Sequence, residues 1–167
     1  MFVLGIDPGL TRCGYACIES TGPSTARALA MGVVRTSVDG ALPARLLALR
    51  DELRALIAEY RPHAVAVERV FFQVNVRTAM SVGQASGLAL VEAAAAGCEV
   101  MQYSPNEVKA AIAGWGGADK EQMQRMVQIR LGLSAPPKPA DAADAAALAL
   151  CHLAMSPMRR RVAEARA

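Results

Sequence analysis

The sequence predicts a single α/β domain built on a five-stranded mixed sheet flanked by helices, and three observations predict it. Three apolar segments near the N-terminus follow one another with only turns between them, the pattern of an antiparallel meander. A strand, a long amphipathic helix and a second strand are then arranged as a right-handed crossover, which lays the second strand parallel to the first. Finally, 167 residues of which 53% are hydrophobic fill one core and are too few for two ordinary domains.

The first strand runs from Phe2 to Ile6 and ends at Asp7-Pro8-Gly9, where an apolar run meets a turn. Gly14 to Glu19 reads as its hairpin partner, and Ala28 to Thr36 as a third strand entered through Thr21-Gly22-Pro23-Ser24. Leu42, Leu46, Leu49, Leu53, Leu56 and Tyr60 recur at steps of four and three, a helical stripe that Pro62 stops. Ala64 to Val67 is a continuous apolar run bounded by Glu68, as expected of a central strand with both faces covered. A helix of small residues, Thr78 to Ala96, carries Gly83 and Gly87 four apart, a spacing that admits close approach of another helix. Glu99 to Tyr103 is the fifth strand. Asn106 to Ala113 and Lys120 to Leu131 are helices separated by Gly114-Trp115-Gly116-Gly117, and Pro136-Pro137-Lys138-Pro139 leads into an alanine-rich helix from Asp141 to Ala154. Residues 1–157 are expected to form the domain, and residues 158–167 a basic, disordered tail.

Composition excludes several classes. Cys13, Cys17, Cys98 and Cys151 form no Cys-x-x-Cys pair, so reduced thiols are expected rather than a zinc site or a disulfide framework. No uninterrupted apolar run reaches the roughly 18 residues of a membrane span, and no leader pattern is present, so the expected location is the cytoplasm with no membrane partner. The net charge is only +3, but with four clustered acids set aside the remainder holds 18 basic against 11 acidic groups. A basic surface around an acidic pocket suits a polyanionic substrate that needs metal ions where it reacts.

Those four acids are Asp7, Glu68, Asp141 and Asp144. Asp7 and Glu68 stand at the carboxyl ends of two parallel strands, where ligands of such sheets gather. Asp141 and Asp144, three apart, share one helix face. Three of them have an ordinary reading: an Asx turn for Asp7, an ion pair with Arg69 or with a basic residue of a neighbouring element for Glu68, and a helix N-cap for Asp141. Asp144, set among alanines, needs a partner if buried. Together the acids form an oxygen-donor set for hard divalent cations, of the kind that place two ions about 3.5–4 Å apart for phosphodiester hydrolysis. His63 and His152 belong to no Ser/His/Asp or Cys/His arrangement and are expected to be structural or exposed.

Leu4-Gly5-Ile6-Asp7-Pro8-Gly9, Val67-Glu68-Arg69-Val70-Phe71, Gly83-Gln84-Ala85, Val108-Lys109 and Ala140-Asp141-Ala142-Ala143-Asp144-Ala145 together resemble the ordered motifs of the RuvC family of Holliday junction resolvases. The resemblance runs from the first strand to the last helix. It implies an RNase H-like fold, a homodimer, and symmetric nicking of four-way junction DNA in recombination and repair, alongside the RuvA–RuvB branch-migration complex. It further implies that Asp7, Glu68, Asp141 and Asp144 are the catalytic acids and hold two Mg²⁺ ions, with Mn²⁺ as the alternative metal. Some members of the family carry His where Asp141 stands. Phe71 is implied as a residue that stacks on unpaired bases, with Phe72 beside it. Lys109 and Lys120 match basic positions implicated in DNA contact or catalysis, and Arg69, Arg77 and Arg125 are further candidates for phosphate contact. The helix with Gly83 and Gly87 is the family's dimer element.

Three rivals stand against this reading. An actin-like or sugar-kinase phosphotransferase also begins with a strand and Gly-Ile-Asp, but needs a second, similar domain that 167 residues cannot supply. A non-catalytic nucleic-acid-binding domain of the same fold would have no use for four intact carboxylates. An RNase H-like nuclease acting on another nucleic acid shares both fold and metals.

Overall fold

The computed structural model describes residues 1–22, 25–70 and 76–164, with the backbone alone for 76–78 and 157–164. Alternation along the first strand, β1 (Phe2–Asp7), divides the core. Leu4 and Ile6 enter one apolar cluster and Val3 the other. β2 (Arg12–Ser20) pairs antiparallel with β1, and β3 (Ala26–Arg35) antiparallel with β2, with a register shift between Cys17 and Ile18. Both strands begin two residues before the apolar runs that mark them, because ladder pairing with a neighbour carries polar end residues into the sheet. After α1 (Leu42–Tyr60), β4 (Ala64–Glu68) lies parallel to β1. After α2 (Val76–Ala95), β5 (Glu99–Tyr103) lies parallel to β4, and the sheet order is β3-β2-β1-β4-β5.

α1 and α2 cover one face. Leu49, Leu53, Leu56 and Ile57 of α1 and Ala85, Ala89 and Ala93 of α2 pack with Leu4, Ile6, Cys17, Val65 and Val67. Leu42, at the start of the α1 stripe, remains 43% exposed. The buried Glu92 of α2 is tied to Arg54 of α1, whose Nε and Nη2 donate to its two carboxylate oxygens at 2.9 and 3.0 Å.

α3 (Pro105–Ala113), α4 (Lys120–Leu131) and α5 (Ala140–Glu164) cover the other face. Capping boxes start α3 and α4, Ser104 with Glu107 and Asp119 with Gln122, each cap contributing about 1 kcal/mol. α5 rests directly on β1 and β2 because Gly5 and Gly14 bear no side chain. A Cβ at Gly5 would run into the carbonyl of Ala145 and come within 2.9 Å of the amide nitrogen of Ala149, and one at Gly14 would meet the carbonyl of Asp141. The helix answers with alanine at 142, 143, 145, 146 and 149, all buried. It begins at Ala140, which puts Asp141 inside the first turn rather than at the cap, and it runs past Ala154 to Glu164.

The four cysteines are free, and Cys13, Cys17 and Cys151 are buried. Among the described residues no helix is long and apolar enough to cross a membrane.

Candidate active site

Strand parity aims two of the acids. Asp7 shares its side of β1 with Val3 and Gly5, the side on which α5 lies. Ala64 and Ala66 of β4 join the same apolar cluster as Val3, so Glu68, two residues on, faces α5 as well. The parallel register Ile6↔Val67 sets Asp7 and Glu68 at the ends of neighbouring strands. α5, seated on Gly5 through Ala145, brings Asp144 over those strand ends.

The result is a cleft of about 230 Å³ lined by Asp7, Glu68 and Asp144, with Lys109, Pro105 and Val108 from α3, Lys120 and Met123 from α4, and Ala147 and Leu148 from α5. Its electrostatics are those of crowded negative charge. Burial, then the neighbouring Glu68, Asp144 and Asp141, push the Asp7 carboxyl up to about 7 from its ordinary 3.8, and Lys120 opposes them. Burial and then Asp144 also raise Glu68, again against Lys120. Lys120 Nζ donates to Asp144 Oδ2 at 3.2 Å, and that hydrogen bond raises the ammonium above its usual range.

Asp141 is placed differently. Its Oδ2 accepts from Arg12 Nε at 3.0 Å and from Arg12 Nη2, and this pairing holds its carboxyl below the usual range. It lies outside the lining of the cleft.

Among the described residues no three His, Cys, Asp or Glu side chains are drawn together as a closed metal cluster. Lys120 and Arg12 instead supply positive charge to Asp144 and Asp141. The donor set nevertheless fits a hard divalent cation: it is all carboxylate oxygen, and the raised Asp7 and Glu68 mark negative charge that the two side-chain cations leave uncompensated.

Lys109 and Lys120 both line the cleft. Arg69 is exposed, with Nη2 3.4 Å from the carbonyl of Gln102, and is not among the residues that line the cleft. Arg125 is exposed on α4. Phe71 and Phe72 lie outside the described residues, as does the side chain of Arg77 on α2. The histidines are structural: His63 Nδ1 accepts from the Phe2 amide at 3.1 Å, and the buried His152 Nδ1 is 3.0 Å from the Tyr103 hydroxyl. Arg12 is the residue that sequence reasoning missed. Its one signal is parity, since it shares its side of β2 with Gly14, on which the start of α5 rests.

The family model described as crossover junction endodeoxyribonuclease RuvC matches residues 3–152. The crossover junction endodeoxyribonuclease RuvC of Salinispora arenicola is 56% identical over 165 residues, which cover 99% of this chain and 94% of that protein. The solved structure of Thermus thermophilus RuvC in complex with Holliday junction substrate superposes with a TM-score of 0.91 at 40% identity, covering 95% of this chain and 96% of that one. The yeast mitochondrial Holliday junction resolvase Ydc2, at 15% identity and a TM-score of 0.70 over 95% of this chain and 82% of that one, shares the fold alone. The five-stranded mixed sheet between two layers of helices is the RNase H-like fold.

Proposed function

Because this chain belongs to the RuvC family of crossover junction endodeoxyribonucleases, we propose that it resolves Holliday junctions by paired symmetric nicks, in recombination and repair and in the cytoplasm. The observation that carries the reading is the cleft at the carboxyl ends of β1 and β4, where Asp7, Glu68 and Asp144 converge with their negative charge partly uncompensated.

Nucleases of this family depend on metal. Here Asp7, Glu68 and Asp144 would hold it, as two Mg²⁺ ions or Mn²⁺ in their place, with Asp141 contributing once it parts from Arg12. Bound there, the metal supplies the activation of the attacking water and the stabilisation of the leaving oxygen. The chain's own groups do the rest. Lys109 and Lys120 draw the scissile phosphate into the cleft, and Lys120 stays protonated throughout the working pH range because Asp144 stabilises its charge. Phe71, and Phe72 beside it, stack on bases exposed at the junction centre, and Arg69 and Arg77 steady the backbone.

A homodimer completes the reading. α2 turns Ala85, Ala89 and Ala93 to the sheet and leaves Met80 and Val91, 60% and 64% exposed, on its outer side. Gly83 and Gly87 have open space where a Cβ would be. Such a face suits a second copy of the same helix, and a two-fold dimer presents two clefts to the two strands of a pseudo-symmetric junction. RuvA and RuvB are the partners that would deliver the junction.

The test presents labelled four-way junction, duplex and RNA–DNA hybrid with Mg²⁺ to the protein and to Asp7→Asn. Paired nicks in the junction alone, lost in the variant, are expected. Equal cutting of duplex or hybrid, or an active variant, overturns the assignment.

A further inference from the structure

The chain has one tryptophan, Trp115, and leaves it 55% exposed in the loop between α3 and α4. The loop is held at both ends. Gly114, in the left-handed region at φ +86°, ends α3, and Asp119 caps α4. Between them Ala118 is fully buried in the core cluster with Val108, Ile112 and Met123. The indole lies against Gly117: a Cβ there would come within 2.8 and 3.0 Å of ring atoms Cε3 and Cη2. Glycine thus lets one side of the ring seat on backbone while the side chain stays open to solvent.

The loop's position matters more than its exposure. A Cβ at Gly116 would be 4.0 Å from the carbonyl oxygen of Asn106, in the first turn of α3 beside Pro105, which lines the cleft. At its other end the loop leads directly into Lys120, also of the cleft. An exposed indole on the loop that joins the helix of Lys109 to the helix of Lys120 matches the combination used on nucleic acid strands, cationic groups for phosphates beside an aromatic surface for bases.

We propose that Trp115 is a second stacking platform, which takes an unpaired DNA base at the α3–α4 rim of the cleft. The proposal rests on the junction-nuclease reading and adds a contact to it.

Because Trp115 is the sole tryptophan, the unmodified protein reports on it. In EDTA, where cleavage is blocked, titration with four-way junction is expected to quench the intrinsic fluorescence, and titration with blunt duplex to leave it nearly unchanged. Trp115→Ala should bind junction about five- to a hundredfold more weakly, and Trp115→Phe should recover most of that loss, with melting temperatures of both variants near the parent's. A parent that binds and cuts junction with unchanged fluorescence, or a Trp115→Ala variant that binds like the parent, overturns the stacking role and leaves the nuclease reading intact. A parent that neither binds nor cuts junction overturns both. A fluorescence change that follows protein concentration without DNA assigns Trp115 to a contact between copies and also overturns the proposal.

Discussion

Arg12 and Asp141, 129 positions apart, are joined by two guanidinium nitrogens on one carboxylate oxygen, Nε at 3.0 Å and Nη2 closer still. The pair neutralises the acid nearest the start of α5 and lessens the repulsion that Asp7 feels from it. Removing the guanidinium should therefore destabilise the metal-free protein and make the cluster more attractive to a cation. For a pair this exposed the effect is about 1 kcal/mol, or roughly fivefold in affinity. Arg12→Ala is expected to melt a few degrees lower in EDTA and to bind Mn²⁺ several-fold more tightly by calorimetry. Weaker Mn²⁺ binding would show that Arg12 organises the ligands rather than standing in for the ion.

Asp7 predicts a pH dependence. Its folded-state value of about 7 lies above the ordinary 3.8, so the folded protein binds the proton more tightly than the unfolded chain. Stability attributable to this group is full below about pH 4 and falls as pH rises through 7, and Glu68 acts with the same sign. In EDTA the parent should lose several degrees of melting temperature, relative to Asp7→Asn, between pH 5 and pH 8. Mg²⁺ at pH 8 should restore stability to the parent far more than to the variant. Parallel melting curves against pH for the two proteins would contradict the placement of Asp7.

Lys120 faces both Asp144 and the open cleft. If it meets a phosphate, Lys120→Ala should reduce the slope of log affinity against log salt for junction by about 0.9, the contribution of one neutralised phosphate. Lys120→Arg should keep the slope. Fluorescence anisotropy from 50 to 200 mM salt measures it, and an unaltered slope in the alanine variant removes Lys120 from the DNA contacts.

Gly5 sets the height of α5 above the sheet. Gly5→Ala drives a methyl group into the Ala145 carbonyl, and overpacking of this kind costs about 1–3 kcal/mol. The melting temperature should fall by roughly 2–12 °C. Because the same helix carries Asp144 toward Asp7 and Glu68, junction cleavage well below the new melting point should fall by at least tenfold. Full activity in a destabilised variant would separate the seat of α5 from the geometry of the cleft.

The outer face of α2 predicts an association. Val91→Glu places a charge at a 64% exposed position, so it should leave the fold unchanged and shift a homodimer toward monomer in sedimentation at micromolar concentration. Identical sedimentation of variant and parent would exclude this face.

Much of this site is legible along the chain. Asp7 and Glu68 end apolar runs on the side of their strands that α5 covers, and both arrive at the cleft. The stripe of α1 buries Leu49, Leu53 and Leu56 as its spacing requires. The N-cap reading of Asp141 fails because α5 starts one residue earlier and Arg12 takes its side chain. Arg12 gives only its parity with Gly14, which sets it on the side where α5 starts but carries no mark of Asp141 as its partner.

By itself the sequence determined the mixed sheet, the crossover and the convergence of acids at the strand ends, since alternation and helical periodicity are local properties that a residue's neighbours set. Only the tertiary structure decided which cation each acid meets: Lys120 for Asp144, Arg12 for Asp141, and, among the described residues, no side-chain partner close enough to hold Asp7 at its ordinary value. Those pairings depend on how far α5 descends onto Gly5 and Gly14. That distance comes from packing between segments more than a hundred residues apart, and the same packing turns an acid at a strand end into a site.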